Sequence, residues 1–549
     1  MYYKNNIIDI SNLKNIKIYN NGYVYHFTRV WWNKETNHSD DDRISIGKLV
    51  DNNDKTKMYP NESFFIRFPD YVLLEEPGKI DSYLHSGAYI ALEKSANEYN
   101  LIELLKKNFP KYHKKILALA ISYIDNEDST SQHYEKWAFS NYSGLDTSLT
   151  PSMINEIYNN IDMDSINDFL QDYGKIYKGK NNIKKRNCIA FDSTNQNTSS
   201  DISFAEYGHA KVDEGLPVIN TAILVDEETN IPLYYEHFFG SLLDKSQITK
   251  SIEHIKNLGF ERLFYMFDRG YFSSKSINSL LEDEFAIMTP KNNISANEII
   301  DRYKRLIEDE KYYICDENIY GFKTEEKIEI GDAKLNVHMF YDPLRAADEK
   351  QSIHTKLSLM EKKLKDTKYY SKKLESTFEK YFKISKIGTR GKCKFTYTKK
   401  IDEINKEMSR IGMFIIVTNT NKSTNEIIMI SRARDTSEKA FRRIKSHFDL
   451  AKPLVHNDKT FSGKMFVAFV ALIIVEIFRY KIKDMLNKTS SETTFTILAE
   501  LTKIIIYKKR DNTWALRYAL TKKTKDVLSL LNINEKYLND FIKKLNSSV

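Results

Sequence analysis

The sequence predicts an α/β protein of several domains, and two observations carry that prediction. The chain has 549 residues, which corresponds to roughly three to four domains at ~150 residues each. Its hydrophobic pattern changes along the chain, from alternating segments to helical periodicity and then to continuous apolar runs of the buried-strand type. Hydrophobic residues make up 41% and charged residues 29%, as in ordinary soluble globular proteins.

Two regions precede the α/β part. Apolar and polar side chains alternate between turn residues through 16–70, which predicts short antiparallel strands in an N-terminal β-rich region, 1–95. Apolar residues then recur at intervals of three and four through 97–177, which predicts a helical region, 96–185. A basic link at 178–187 separates this region from the next.

The region 186–291 has the order of an α/β core. Three strand-like segments follow one another, and a helix-like segment, a continuous apolar run, a second helix and a last strand come next. The strand segments are CIAFD (188–192), VINTAILVD (218–226), PLYYEHFF (232–239), RLFYMFD (262–268) and FAIMTP (285–290). This order predicts an RNase H-like core with a mixed five-stranded sheet and helices.

The α/β pattern breaks at 292–412, where predicted hairpins, a charged helix and a basic strand follow one another. This part is too structured for a loop, so we predict a mixed α+β insertion domain. The second part of the core is expected at 413–490, and a helical region at 491–549. The apolar stretch 465–475 has about eleven residues, fewer than the ~20 that span a bilayer, and predicts a buried helix.

Charge and cysteine content narrow the class of protein. Lys+Arg number 83 against 75 Asp+Glu, a net charge of +8, which mildly favours polyanionic partners. Cys188, Cys315 and Cys393 are far apart, which excludes a sequence-evident zinc ribbon or disulfide framework and fits a reducing cytosol. No HExxH, P-loop motif or signal-peptide pattern occurs. We therefore expect a cytoplasmic protein with no membrane partner and no nucleotide cofactor.

Two aspartates stand at the ends of predicted core strands. Asp192 ends the first strand, in FDST, and Asp268 ends the apolar run, in FDRGYF. Ligands gather at the carboxyl ends of parallel strands in open α/β sheets, so neighbouring strands would bring both carboxylates together. Adjacent carboxylates repel each other unless a cation lies between them, and Mg²⁺ prefers oxygen ligands. The pair predicts a magnesium site, although either residue alone is an ordinary strand-end aspartate.

A third carboxylate lies on a predicted helix at 432–450. At ~100° per residue, one face roughly 80° wide carries four charged residues, which are Arg434, Glu438, Arg442 and Lys445. An apolar stripe adjoins them, formed by Phe441, Ile444 and Phe448. On the other side we expect three residues in solvent, Lys439, Arg443 and His447. The helix can therefore pack on a sheet while its polar edge borders the carboxylates.

Three carboxylates allow a site to hold two metal ions ~4 Å apart, which clamp the attacking and leaving oxygens of a phosphodiester. We expect two Mg²⁺, with Mn²⁺ as a substitute. A second interpretation stays open, because Asp435 and Glu438 have the spacing of a capping box, in which Glu438 folds back onto the start of its own helix. The basic residues could equally form a solvated face.

Together these segments resemble the catalytic core of DDE transposases from bacterial insertion sequences. The closest branch is the insertion-sequence-four kind, which carries a β-rich insertion before its Glu and a Tyr-x2-Arg-x3-Glu-x6-Lys signature. Arg434, Glu438 and Lys445 match its Arg, Glu and Lys in spacing, whereas Ser431 stands at its Tyr position. FDST and FDRGYFS match the two Asp motifs. The resemblance covers about 186–290 and 412–480.

The resemblance implies an enzyme that cuts DNA at transposon ends and joins them to target DNA. Asp192, Asp268 and Glu438 would be the catalytic, metal-binding residues. The expected DNA-binding residues are Arg434, Arg442, Lys445 and Arg269, the last of which could instead form a structural salt bridge. The expected partners are double-stranded DNA, both as terminal inverted repeats and as target, and a second copy of the chain in a synaptic homodimer. We expect the helical region 96–185 to bind the DNA ends.

Other functions compete with this one. A stand-alone nuclease would share the core without strand transfer, and a domesticated DNA-binding protein would have lost catalysis. A phosphatase with its nucleophile in FDST is disfavoured, because Thr194 stands where that class needs a second Asp. Outside the core, Trp31 and Trp32 either pack in a hairpin core, which we expect, or stack on DNA with Arg29.

Overall fold

We describe the fold from a computed structural model. It describes residues 2–3, 6–33, 37–71, 83–180, 188–208, 213, 215–226, 228–241, 244–257, 259, 264–388, 393–433, 435–448, 450–488, 492–509 and 513–547. Within these ranges, only the backbone is described at 188–192, 244–248, 433, 435–438, 488 and 518.

The N-terminal region forms an antiparallel sheet. Its elements are β1 (Tyr2–Tyr3), β2 (Ile8–Asp9), β3 (Ile16–Ile18), β4 (Tyr23–Asn33), β5 (His38–Asp51), β6 (Asp54–Pro60) and α1 (Glu62–Arg67). Five of the strands pair in the order β2-β6-β5-β4-β3. Val24, Ile46, Met58 and Phe64 are fully buried in a separate small core, as the predicted alternation of apolar and polar residues requires.

The expected core role of Trp31 and Trp32 is wrong. Strands β4 and β5 are much longer than their neighbours, so the end of this hairpin projects past the small core. Trp31 is 37% exposed and Trp32 is 61% exposed. Arg29 lies 5.6 Å from the ring centre of Trp31, and Asp40 faces Trp31 on the opposite strand.

A helical layer follows, with α2 starting at Gly87, earlier than the predicted boundary at 96. Its elements are β7 (Tyr83–His85), α2 (Gly87–Glu98), α3 (Leu101–Asn108), α4 (His113–Asn126), α5 (Ser131–Ser140), α6 (Pro151–Asn159) and α7 (Met163–Lys180). Helix α4 buries the run 116–124. The layer therefore belongs to the main hydrophobic core.

The predicted core strands form as expected. They are β8 (Cys188–Asn197), β9 (Val218–Asp226), β10 (Pro232–Phe239), β11 (Phe264–Phe267) and β12 (Glu284–Met288), with α8 (Asp244–Asn257), a 3-10 turn (Arg269–Tyr271) and α9 (Ser274–Asn278) between them. Strand β9 is antiparallel to β8 and β10, whereas β11 is parallel to β8 and β12. Both β9 and β11 are buried along their whole length, and the continuous apolar sequence of β11 explains its burial.

The sheet is larger than the five strands predicted. After α10 (Ile294–Tyr303) and a 3-10 turn (Glu310–Tyr312) come β13 (Tyr313–Ile314), β14 (Ile319–Ile330) and β15 (Ala333–Tyr341), which join the core sheet. With β18 (Met413–Thr418) the order is β10-β9-β8-β11-β12-β18-β15-β14-β13. The predicted insertion 292–412 is therefore not wholly separate, because β18 pairs with both β12 and β15.

The rest of the insertion is a small unit, here called the helical module, residues 343–408. It consists of α11 (Pro343–Asp366), α12 (Lys372–Phe378), β16 (Phe382–Ile387), β17 (Lys394–Lys399) and α13 (Ile401–Met408). Leu357, Leu364, Phe378 and Phe382 form its own hydrophobic core. This agrees with the charged helix and the basic strand predicted there.

The C-terminal part contains α14 (Thr424–Ala433), α15 (Asp435–Arg442), a π-helical turn (Arg443–His447), α16 (Asp458–Lys481), α17 (Lys483–Lys488) and α18 (Thr494–Leu501). Strands β19 (Ile505–Lys508), β20 (Trp514–Leu516) and β21 (Tyr518–Ala519), then α19 (Lys522–Leu530) and α20 (Glu535–Ser547), complete it. The region 491–549 was predicted as helical, but β19 pairs with β7 and β21 pairs with β1. It closes the fold onto the N-terminal part.

Helix α16 is the central helix of the core. It is 24 residues long, much longer than the predicted apolar stretch, and is the one described helix with the length and hydropathy of a membrane span. However, 94% of its most apolar window is buried inside the fold. The prediction of a buried core helix is confirmed, although the argument from a short length was wrong.

Candidate active site

Positions 192 and 268 lie level on neighbouring strands. Strand β11 runs parallel to β8, and Phe264, Tyr265 and Met266 pair with residues 188, 189 and 190 in turn. The same register, continued by two places, sets Asp268 beside Asp192. Neighbouring strands are ~4.8 Å apart, so the backbone brings these two positions together at one end of both strands. The side chain of Asp192 lies outside the described part of the chain.

The side chain of Asp268 is positioned by the turn that follows it. It directly follows β11 and caps the 3-10 turn, where its Oδ1 accepts a hydrogen bond of 2.7 Å from the Arg269 amide. A short acidic side chain in this place satisfies a backbone amide that the turn leaves unpaired. Buried Tyr271 anchors the other end of the turn. The carboxylate therefore lies at the end of the two strands and is half-buried.

The helix that carries Glu438 crosses the same face of the sheet. Ile427 and Ile428 of α14 pack against Phe264 and Met266, which alternate with the buried residues of the other face. Helix α15 follows almost without a break and contacts β8 and β9. The backbone of Glu438 therefore lies on a helix that packs over the strand of Asp192. The side chain of Glu438 and the whole of Arg434 lie outside the described residues.

The backbone of the structure disfavours the capping-box alternative for Glu438. A capping box needs Asp435 at the position before the helix, with Glu438 three residues later. In the structure Asp435 is itself the first residue of α15, and α14 ends only two residues earlier, at Ala433. The helix thus has a preceding helical turn rather than the extended entry that this motif uses.

Lys445 reaches the strand of Asp192. Its Nζ donates a hydrogen bond of 2.7 Å to Thr194 Oγ1. Residues two apart on a strand share a face, so Thr194 and Asp192 belong to the same face of β8. Lys445 therefore contacts the strand that carries Asp192, two residues from that position. Arg442, by contrast, is exposed on the last turn of α15.

Arg443 was expected in solvent, and that expectation is wrong. Its side chain is 12% exposed and forms an ion pair with Glu476 of α16, which is 1% exposed. The sequence left this side of the helix to solvent, but α16 packs against the π-helical turn Arg443–His447 and covers it. Burial lowers the pKa of Arg443 to about 9, so the guanidinium stays charged at neutral pH. Lys439 is exposed as predicted.

A buried polar row fixes the segment after the π-helical turn. Gln196 Nε2 donates to the Leu450 carbonyl at 2.6 Å, and Thr221 Oγ1 donates to Gln196 Oε1 at 3.1 Å. His237 Nδ1 lies 3.0 Å from Thr221 Oγ1, and burial lowers the pKa of His237 to about 3, so this ring is neutral. This row could not be predicted, because its members come from three separate strands and a loop.

Arg269 points to an open cavity beside the strand ends. It is exposed, and no carboxylate among the described residues forms an ion pair with it, so the salt-bridge alternative has no support within that part of the chain. The cavity has a volume of about 390 Å³. Its basic lining comes from both the core and the helical module, and comprises Arg269, Lys291, Arg345, Lys380, Lys406 and Arg410.

The described side chains include no group of three or more His, Cys, Asp or Glu residues placed to hold a metal ion. Two of the three predicted ligands, Asp192 and Glu438, have side chains outside that description. The backbone positions of all three are compatible with one oxygen-rich site, since two lie level on adjacent strands and the third on the helix above. Carboxylate oxygens are the ligands that Mg²⁺ prefers.

Comparison with known proteins gives one extended match. A family model described as a transposase DDE domain matches residues 183–474, which is more than half of the chain. No curated protein matches the chain. Among solved structures, a piggyBac transposase synaptic complex with hairpin DNA has a TM-score of 0.35 and 8% identity, over 83% of this chain and 82% of that one. A Mos1 transposase paired-end complex has a TM-score of 0.14 and 12% identity, over 41% and 65%. These two structural similarities are too weak to support any argument.

Proposed function

Because the chain belongs to the transposase DDE-domain family, we propose that it cuts DNA at transposon ends and joins the ends to target DNA. The single observation that carries this proposal is the register of β8 and β11, which sets Asp192 level with Asp268. The order and directions of β10-β9-β8-β11-β12 favour an RNase H-like core. The spacing of Arg434, Glu438 and Lys445 favours the insertion-sequence-four branch.

The three carboxylates would hold two divalent ions, Mg²⁺ or Mn²⁺. Such ions, when bound, activate water and stabilise the charge that develops on the attacking and leaving oxygens. The chain supplies hard oxygen ligands from two rigid strands and one packed helix. Asp268 is suited to this role, because the Arg269 amide orients its carboxylate. The protein needs neither a covalent intermediate nor a nucleotide.

Basic residues around the carboxylates would position the DNA backbone. Lys445 is oriented by Thr194 on the face of Asp192, and its ammonium would contact a phosphate near the cleaved bond. Arg269 and Arg442 are exposed at the edges of the site and would extend this contact, together with Arg434. Contacts of this type fix the register of a duplex without reading its sequence.

End recognition and dimer formation complete the proposed function. The helical region 96–185 would bind the terminal inverted repeats. Joining two transposon ends in one reaction requires both in one assembly, and a homodimer supplies two active sites for them. The protein would act in the cytoplasm, on the bacterial nucleoid.

The decisive experiment compares isosteric variants on a duplex that carries the DNA flanking the reading frame. Asp192→Asn, Asp268→Asn and Glu438→Gln should each reduce strand cleavage by roughly 10³-fold or more, because losing one member of a cooperating catalytic set removes most of the rate enhancement. Asp526→Asn, at an exposed position of α19 in the C-terminal part, is the matched control and should cleave normally. Circular dichroism of each variant verifies folding.

A second assay separates the competing functions. A pre-cleaved end is incubated with a target plasmid, and joined products are counted. Cleavage without any joining would indicate a stand-alone nuclease. Full retention of cleavage in the Asp192→Asn variant would mean that these carboxylates are not the active site. DNA binding without cleavage by the unaltered protein would indicate a domesticated DNA-binding protein.

A further inference from the structure

One stretch of the chain is strongly basic and contains no acidic residue. Residues 380–401 include eight Lys and Arg and no Asp or Glu. The helical module around it, 343–408, has 18 Lys and Arg against 9 Asp and Glu, a surplus of +9, whereas the whole chain has +8. The module therefore carries the entire positive surplus of the protein, and the acid-free stretch is its most concentrated part.

This stretch forms a two-stranded antiparallel ribbon, β16 and β17, which pairs with no other described strand. Alternate residues such as Phe382 and Ile384 point into the module core. The other face is exposed along its whole length, with three residues on each strand facing each other in pairs. These pairs are Lys383 with Thr398, Ser385 with Thr396, and Ile387 with Lys394. We call these six residues the outer ribbon face.

The ion pairs of this region involve the lysines beside the outer ribbon face, not the two on it. Lys380 and Lys399 at its margins form ion pairs with Glu407 and Glu361. Neither Lys383 nor Lys394 forms an ion pair with a described residue. Two positive charges, three hydroxyl groups and one apolar side chain thus face solvent with no carboxylate among them, which is the composition of a surface for a polyanion.

The ribbon begins at the wall of the cavity beside the proposed active site. Lys380 and Tyr381 directly precede β16 and line the 390 Å³ cavity. Arg269, the residue after Asp268, lines the same cavity. One end of the ribbon therefore adjoins the cavity that is lined by the residue after Asp268.

We propose that the outer ribbon face binds target DNA through its phosphate backbone, without reading sequence. The inference rests on the proposed function. A two-stranded ribbon fits the major groove of B-DNA, and Lys, Ser and Thr donate hydrogen bonds to phosphates. The face has no Arg, Asn or Gln, the side chains that pair bidentately with base edges. A contact of this kind suits target DNA, which differs from one insertion to the next, better than constant terminal repeats.

The test uses the double variant Lys383→Ala/Lys394→Ala in the full-length protein. Binding to a random-sequence duplex is measured by fluorescence anisotropy over a range of salt concentrations. Each phosphate contact contributes ~0.9 to the slope of log K against log salt, so the slope should fall by about 2. The number of ends joined to target plasmid, relative to ends cleaved, should fall about 10-fold. Lys383→Arg/Lys394→Arg should restore the slope, because Arg also contacts phosphate.

The matched control is Lys536→Ala/Lys543→Ala, which removes two exposed lysines from α20 and should leave the slope and the joining ratio unchanged. An unchanged slope in the ribbon variant would overturn the proposal. Equal losses of end cleavage and of joining would assign the ribbon to transposon ends and overturn the target assignment. A change in oligomeric state with unaltered DNA binding would indicate a protein contact and likewise overturn it. If the unaltered protein neither cleaves nor joins ends, the proposed function fails, while the salt slope still tests the ribbon.

Discussion

The buried charges between the Glu438 helix and α16 should control both stability and catalysis. Glu476 is 1% exposed, is in ion-pair contact with Arg443 and accepts a hydrogen bond of 3.1 Å from Arg479 Nη1. Arg443 follows α15 directly, so this contact fastens the end of the Glu438 helix to the central helix of the core. Glu476→Leu removes the shared counter-charge and leaves two guanidinium groups facing an apolar side chain.

The size of the effect follows from how buried each partner is. Removal of one partner from a buried ion pair costs about 3–5 kcal/mol, and we expect Glu476→Leu to lie in this range. Arg443→Met should cost less than this range, about 2 kcal/mol, because Arg479 still neutralises Glu476. The double variant should be less destabilised than Glu476→Leu alone, since it leaves one buried guanidinium without its carboxylate instead of two, and Arg479 keeps its hydrogen bond to Thr494. The coupling energy should then be about 2–3 kcal/mol.

Urea unfolding followed by helical circular dichroism gives the free energy of unfolding of each variant. Lys439→Met, an exposed substitution on the same helix, should change it by less than about 0.5 kcal/mol. The Glu476→Leu variant should also cleave transposon-end DNA more slowly at temperatures where it is folded, because Glu438 loses its anchor. Strictly additive effects of the two single substitutions would refute this account of the buried pair.

Three further predictions address the site and the core. Thr194→Val should slow cleavage about 10-fold, through loss of a hydrogen bond to the charged Lys445 ammonium, and Thr194→Ser should cleave normally in the same gel assay. Burial lowers the pKa of His237 to about 3 and of His338 to about 4, so below pH ~6.5 the unfolded chain binds protons that the folded chain does not. The free energy of unfolding should therefore fall by about 1.4 kcal/mol per pH unit and per histidine as the pH drops from ~6.5 toward those values. His237→Asn and His338→Asn should each make the urea midpoint depend less on pH. Unchanged curves would contradict the view that these two histidines are buried and neutral. Removal of divalent ions with a chelator should stop cleavage but not duplex binding, and either Mg²⁺ or Mn²⁺ should restore it; cleavage that persists in the chelator would exclude the metal-dependent mechanism.

The core strands were predictable because their information is local. Residues 218–226 and 232–239 were predicted as strands, and the structure has strands with these same bounds. Both segments are mostly apolar and rich in β-branched or aromatic residues, which favour strands. The strand-end location of Asp268 was equally accessible, because Asp directly follows a buried run and precedes an Arg-Gly turn.

The features that could not be predicted from the sequence depend on contacts with distant parts of the chain. Arg443 was assigned to solvent from the helical period alone, which does not show that α16 covers that side of the helix. Trp31 and Trp32 were expected in the core, because no local signal shows that β4 and β5 are longer than the other strands of their sheet. The extension of the core sheet by β13–β15 depends on β18, which lies more than 70 residues after β15.

The three carboxylates of the proposed site consequently differ in what holds them in place. Asp192 and Asp268 are set by the pairing of two adjacent buried strands, and many backbone hydrogen bonds share that task. The position of Glu438 depends on a few side-chain contacts at the two ends of its helix: the apolar packing of α14, Lys445 with Thr194, and Arg443 with Glu476. Substitutions at residues such as Thr194 or Glu476 should therefore lower the rate of cleavage before they lower DNA affinity. They displace one catalytic ligand while leaving the basic surfaces of the cavity and the ribbon intact.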